Sequence, residues 1–337
     1  MAETKVAEKD TLQAVQTLKE ARENILGEVR KVIIGQHDVI DGVLSCLFGR
    51  GHALLVGVPG LAKTLLISTL AKVLRLDFKR IQFTPDLLPG DITGSMVVEE
   101  DPATGKRLFR FVPGPVFTNL ILADEINRTP PKTQAALLQA MQEREVSAGR
   151  ETMKLDRPFL VMATQNPLEQ EGTYPLPEAQ LDRFMFNTFV DYPTDEELEQ
   201  IVVQTTGETA PSVDPVMDRD EIMNIQRIIR TVPVAQPVVK YIVKLSAATR
   251  PGNPDSPKFV KDFLSWGAGP RAAQYLALGA KAWAVIHGHT HASIDGARAV
   301  AISVLRHRVA LNFNAQAEGL TNVKLAQMLL EAVPPEA

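Results

Sequence analysis

Residues 52–74, "HALLVGVPGLAKTLLISTLAKVL", constrain this chain more than any other stretch. An apolar run ends in a glycine-rich turn, and the turn ends in a lysine and a threonine that open a helical pattern. Such a strand-to-helix handover belongs to a parallel sheet, where the N–H groups of the turn and the helix N-terminus converge on one anion. The phosphate-loop template G-x-x-x-x-G-K-[ST] fits at Gly57, Lys63 and Thr64, but Ala62 stands where the second glycine belongs. Alanine is the best helix former, and a residue with negative φ at a helix start still donates its N–H. The expectation is therefore negative φ at Ala62, with Gly60 supplying the left-handed freedom of the loop. Taken alone, the stretch could also be a glycine-containing turn with an incidental lysine.

Its partners argue otherwise. "HALLVGV", "KRIQFT", "NLILADE" and "FLVMATQN" are short apolar runs that all end in polar residues. Fully apolar strands suit a parallel sheet covered by helices on both faces, and ligands bind at the carboxyl ends of such strands. One run, Leu120 to Ala123, closes in Asp124 and Glu125. The Asp would support a metal, and the Glu would orient and polarise an attacking water. The same pair could also be two exposed acids opening a turn. Another run ends at Gln165-Asn166-Pro167, where Asn166 could hold a water or a γ-phosphate, or merely turn the chain. Between the second and third runs, residues 91–117 read as a hairpin insertion around the turn-rich residues 101–105.

Residues 1–32 space Leu12, Val15, Leu18, Ala21, Ile25 and Val29 as an amphipathic helix. The α/β pattern occupies 33–192, and beyond Tyr192-Pro193 helix signals take over through 193–337. They include capping boxes at Thr194–Glu197 and Asp218–Glu221. Helices are expected over 194–206, 219–231, 237–248, 271–286, 294–310 and 322–331.

A chain of 337 residues, 45% hydrophobic and 23% charged, has room for about two domains. Its single cysteine, Cys46, rules out an internal disulfide and is expected as a buried packing residue, which points to a reducing, cytoplasmic setting. The charged N-terminus lacks a signal-peptide core, and runs such as "ALLVGVPGLA" fall short of the roughly 20 residues of a membrane span. A net charge of -4 gives no global attraction for nucleic acid.

Together these motifs resemble the AAA+ ATPases, and within them the MoxR family of the helix-2-insert clade. "GVPGLAKT" resembles that family's Walker A, alanine included, and "LILADEINRTPPKTQAALLQAMQE" its Walker B and following helix. "ATQNP" is similar to sensor 1, "PLPEAQLDRF" to the arginine-finger segment and "SWGAGPRAAQYL" to the sensor 2 region. The resemblance covers about residues 25–332. It implies a P-loop core with a five-stranded parallel sheet flanked by helices, followed by an all-helical C-terminal lid. It also implies ATP and Mg2+ as cofactors, with the nucleotide on Gly57, Val58, Pro59, Gly60, Leu61, Ala62, Lys63, Thr64 and Leu65. Ile34 and Gly35 of "VIIGQ" would lie on the adenine side, Thr64 and Asp124 at the metal, and Glu125 and Asn166 at the water. Arg183 and Arg271 take the finger and sensor 2 roles.

Arg183 falls outside the crevice of its own chain, so it would best serve a neighbour's γ-phosphate, which implies a homo-oligomeric and, by resemblance, hexameric ring. An Asp182-Arg183 surface pair is the simpler alternative. Arg271 opens a helix after Pro270 and would reach from the lid onto the nucleotide. The function so read is an ATP-driven chaperone-type motor that remodels, matures or loads metal into protein clients, for which the resemblance implies von Willebrand A domain proteins. Alternatives are a nucleotide-gated scaffold without turnover, a metal-chelatase motor, and a nucleic-acid-remodelling ATPase using Lys106, Arg107 and Arg110 of the insertion. His287, His289 and His291 alternate as metal ligands might on a strand, but no strand is expected there and a surface role is favoured. Arg306, His307 and Arg308, near a helix end, are expected to cap it or touch another subunit.

Overall fold

The apolar runs do build one sheet. The computed structural model describes residues 16, 18–100, 107–148, 151–169, 172–207 and 211–335; Leu12, Val15, Lys106 and the turn 101–105 lie outside them. Helix α1 (18–30) buries Leu18, Ile25 and Val29, and α2 (His37–Gly49) follows. Then come β1 (Ala53–Val56), α3 (Lys63–Val73), β2 (Phe78–Gln82), α4 (Pro89–Thr93), β3 (Gly94–Glu100), β4 (Arg107–Pro113) and β5 (Leu120–Asp124). A 3-10 turn (Ile126–Arg128) leads to α5 (Pro131–Glu143), β6 (Glu145–Ala148), β7 (Glu151–Lys154), β8 (Leu160–Gln165), α6 (Glu178–Leu181) and β9 (Phe186–Phe189).

The sheet order is β2-β5-β8-β1-β9, with every pairing parallel. Residues of β1 and β5 are buried throughout, as a sheet covered on both faces requires. Alternate side chains enter different cores. Leu55, Leu122 and Met162 pack with α2, α3 and the C-terminal helices, whereas Leu54, Ile121 and Val161 pack with Leu137 and Leu138 of α5. Each such fully buried side chain contributes on the order of 2 kcal/mol, so a charge at Leu122 would be expected to break the fold.

The insertion is an antiparallel hairpin, β3 with β4, as expected. A second hairpin, β6 with β7, was not expected, because the short polar sequence "EVSAGRETMK" carries little strand signal. The C-terminal region holds α7 (Asp195–Thr205), α8 (Arg219–Thr231), α9 (Gln236–Ala248), α10 (Lys258–Phe263), β10 (Leu264–Trp266), α11 (Pro270–Ile286), α12 (Ile294–Leu305), β11 (Ala310–Leu311), α13 (Phe313–Ala317) and α14 (Asn322–Ala332). Both capping boxes form. The region is helical apart from the short β10–β11 pair, and α12 ends at Leu305, not 310. No helix among the described residues is long and apolar enough to cross a membrane.

Candidate functional site

The loop between β1 and α3 lies at the carboxyl edge of the sheet. A Cβ at Gly57 would stand 2.7 Å from the Val190 carbonyl oxygen, so the close packing of loop on strand requires glycine. Gly60 is left-handed, φ +87°, as expected. Ala62 is also left-handed, φ 53° and ψ 20°, which corrects the expectation of negative φ. Ala62 is the residue before the helix, not its first turn: its carbonyl accepts from Leu66 N–H at 2.8 Å while its own dihedrals wind the other way. Left-handed residues alternating with others turn successive N–H groups into one concavity. An L-residue there carries about 1–2 kcal/mol of strain.

Lys63 Nζ donates to the Gly57 and Val58 carbonyls, each at 2.7 Å. Burial pulls its proton affinity down, while Asp124 and Glu125 push it up. A cavity of about 390 Å3 is lined by residues 59–65 and by Arg80, Asp124, Glu125, Thr164, Gln165 and Asn166. A second, of about 400 Å3, shares Pro59 to Ala62 and Leu65 and adds Ile34, Tyr192, Leu198 and Ile201. A polar cleft thus continues into an apolar recess, a shape suited to phosphates and a base. Gly35 lies beside the recess without lining it, against the Glu197 carboxylate.

The two carboxylates at the end of β5 are differently held. Asp124, buried, accepts from Thr164 Oγ1 at 2.6 Å on one oxygen and from Arg80 at 3.0 and 2.7 Å on the other. Glu125 turns left-handed, φ 57°, and its N–H donates to Thr164 at 2.8 Å. Its Oε2 accepts from Gln82 Nε2 at 2.7 Å and from Arg128 at 3.0 Å. That leaves Oε1 to accept from a water, the orientation a hydrolytic base needs. Asn166 is buried, and its side-chain oxygen accepts from Leu168 N–H at 3.1 Å. The donors suit Mg2+: a hydroxyl at Thr64 and a carboxylate at Asp124 beside a phosphate-sized cleft match an ion that takes few protein ligands and keeps water and phosphate oxygens.

Lys63, Thr64, Asp124, Glu125 and Asn166 are therefore brought together; Arg183 and Arg271 are not. Neither arginine lines either cavity. Arg183 donates to the Leu138 carbonyl at 2.8 Å. Arg271 lies 3.3 Å from Asp182, away from the cleft it was expected to reach on lid closure. Asp182 pairs with Arg271 and with Arg308 at 2.8 Å, in place of a surface pair with Arg183. Arg308, only 1% exposed at its side chain, also donates to the carbonyls of Asp182, Phe184 and Met185. The cluster 306–308 thus bonds the chain's own core; Arg308 does also cap α12, at the Val304 carbonyl.

Arg80, Gln82, Arg128 and Thr164 escaped the sequence reading, and Asp182 entered it only as a surface partner of Arg183. Arg80 and Gln82 were visible as polar residues ending "KRIQFT", and Arg128 as a cation three residues after Glu125. In the insertion, exposed Arg110 pairs with Glu99 at 3.1 Å, which weakens the expected basic patch. His287 and His289 stack on Trp283 at 4.3 and 5.7 Å, and no group of three metal-ligating side chains exists among the described residues. Cys46 is buried, as expected.

Residues 52–186 match the model of the ATPase family associated with various cellular activities (AAA), and residues 258–328 match the AAA lid domain. The chain is 40% identical to Chaperone MoxR1 of Mycobacterium tuberculosis, over 92% of this chain and 81% of that protein. It is 31% identical to Protein MoxR of Methylorubrum extorquens, over 84% and 86% of the two chains. The crystal structure of a Cytophaga hutchinsonii protein superposes over 100% of both chains with a TM-score of 0.88 at 39% identity.

Proposed function

Because the chain belongs to the MoxR family of AAA+ ATPases, we propose that it hydrolyses ATP with Mg2+ and uses the cycle to remodel or mature protein clients. The observation that carries this reading is the convergence of Lys63, Thr64, Asp124, Glu125 and Asn166 on one cleft that opens into the Ile34–Leu198 recess. Lys63 neutralises the β- and γ-phosphates by turning its ammonium from the loop carbonyls. Thr64 and Asp124 would hold Mg2+, which would supply positive charge to offset that developing on the phosphates. Glu125 takes the water's proton while Gln82 and Arg128 fix its carboxylate, and Asn166 orients the γ-phosphate or the water.

Arg183 follows Asp182 in the chain, and Arg271 bonds the Asp182 carboxylate at 3.3 Å. Arg183 suits a neighbouring subunit's phosphates, in a ring that by family is hexameric, and Arg271 would reach the nucleotide from the lid on closure. Clients with a von Willebrand A domain, metal insertion and a cytoplasmic setting remain part of this reading through the family alone.

Phosphate release from purified protein with ATP and Mg2+ tests it. Steady turnover is expected, and Glu125→Gln binds ATP but turns over at about one hundredth of the rate or less. Binding without turnover in the unmodified chain would make it a nucleotide-gated scaffold.

A further inference from the structure

A second charged surface takes no part in that reaction. At the amino edge of the sheet, Arg50 precedes β1 and Arg157 precedes β8, while Arg144 caps α5 and Arg230 sits in the last turn of α8. Packing joins them. Arg144 donates to the Arg50 carbonyl at 3.5 Å, Arg50 donates to Gln226 of α8 at 3.1 Å, and Lys281 of α11 donates to the Arg230 carbonyl at 3.1 Å. Arg227 lies one turn before Arg230, and Arg157, Arg227 and Arg230 are exposed.

Among the described residues, no carboxylate pairs with any of these six side chains. Burial first, and then the surrounding guanidiniums, lowers the proton affinity of Arg50 and Arg144. The C-termini of α2, α5 and α8 come to this cluster, each worth roughly half a negative charge, so they offset only about a quarter of it. An anionic partner from outside the chain is the missing balance.

The chain carries such a surface itself. Helix α7 opens with Asp195, Glu196 and Glu197 and continues with Glu199, while its Leu198 and Ile201 line the base recess. Arg183 stands three residues before β9, on the same sheet edge as the arginine cluster. Tyr275 lies between the two: its hydroxyl donates to the Arg183 carbonyl at 3.2 Å, and it is within electrostatic reach of Arg144. An edge that presents Arg183 to a neighbour's phosphates brings that neighbour's recess, with α7 on its rim, against the cluster.

We propose that the cluster of Arg50, Arg144, Arg157, Arg227, Arg230 and Lys281 docks a second copy of this chain by receiving the acidic first turns of its α7. The inference rests on the ring reading above.

The test is sedimentation velocity of the full chain with Mg2+ and the non-hydrolysable analogue AMP-PNP, with folding checked by thermal melts. Reversing Arg157, Arg227 and Arg230 to Glu is expected to raise the concentration for half-assembly more than about tenfold. Reversing Asp195, Glu196 and Glu199 to Lys does the same, and mixing the two variants restores interfaces between unlike copies to within about threefold of the original. If the unmodified chain never assembles, the ring reading falls and takes the docking surface with it. Should the chain assemble and the arginine variant assemble equally well, the docking inference alone is overturned. Duplex DNA binding that the arginine variant loses while its assembly is unchanged would also overturn it, by assigning the cluster to nucleic acid.

Discussion

The two ends of the parallel sheet are opposites. At the carboxyl edge a helix N-terminus, that of α3, faces the cleft, and each charge within reach has a protein partner: Lys63 on loop carbonyls, Asp124 on Arg80 and Thr164, Glu125 on Gln82 and Arg128. At the amino edge the C-termini of α2, α5 and α8 gather, and the cations there have no carboxylate partner among the described residues. Both follow from one rule of the architecture. Helices packed antiparallel to the strands present positive ends at one edge and negative ends at the other, so anions are drawn to the first and cations tolerated at the second. The charged side chains of the carboxyl edge are paired within one chain, whereas no described carboxylate pairs with the cations of the amino edge.

The sharpest way to break this contrast is at Arg183. Arg183→Ala is expected to lower turnover about 10³-fold with ATP affinity nearly unchanged. Mixing it with Lys63→Ala subunits restores activity, since each supplies what the other lacks; no recovery at any ratio would return Arg183 to its own chain.

Next in size is His52, buried under the amino edge. Its Nδ1 accepts from Val161 N–H at 3.0 Å and its Nε2 meets the Met141 carbonyl at 3.3 Å. Burial pushes its pKa down from 6.5 to about 4. The unfolded chain therefore binds a proton first as pH falls, and stability drops from pH 6.5 to 4 by about 3 kcal/mol from this residue alone. Buried His307, held well below 6.5 by burial first and then by Arg308, acts with the same sign. His52→Asn, which keeps an acceptor for Val161, should flatten the pH dependence of denaturant unfolding; an unchanged slope refutes the assignment.

Arg80→Ala probes the completeness of the carboxyl edge. Releasing Asp124 from its guanidinium should lower half-saturating Mg2+ about fivefold in the ATPase assay. A rise instead would mean that Arg80 serves the phosphates.

The smallest effect is expected at Ala62. Ala62→Gly removes the left-handed strain but loosens the unfolded chain, leaving up to about 1 kcal/mol of added stability, or roughly 2 °C in Tm. A lower Tm would show that the alanine is unstrained.

The central strands and the loop joining β1 to α3 were legible because their signals are local: apolar runs of fixed length, a spaced lysine and threonine, and capping boxes at Thr194 and Asp218. What escaped depends on distant partners. Arg80 meets Asp124 across 44 residues and Arg308 meets Asp182 across 126, and no spacing rule links such pairs. The handedness of Ala62 was missed because helix propensity describes residues within a helix, and Ala62 stands one position outside it. The arginine cluster was hidden for another reason. Its members come from six places in the chain, and the overall charge of -4 averages them away.

The grip of Arg308 on residues 182–185 has a mechanical meaning. One guanidinium rooted after α12 holds three carbonyls and the carboxylate of that segment, and Tyr275 holds the Arg183 carbonyl. The segment is consequently welded to the lid, although it begins a core strand. Any shift of the C-terminal helices would therefore pass directly to the backbone at Arg183, on the sheet edge opposite the cleft.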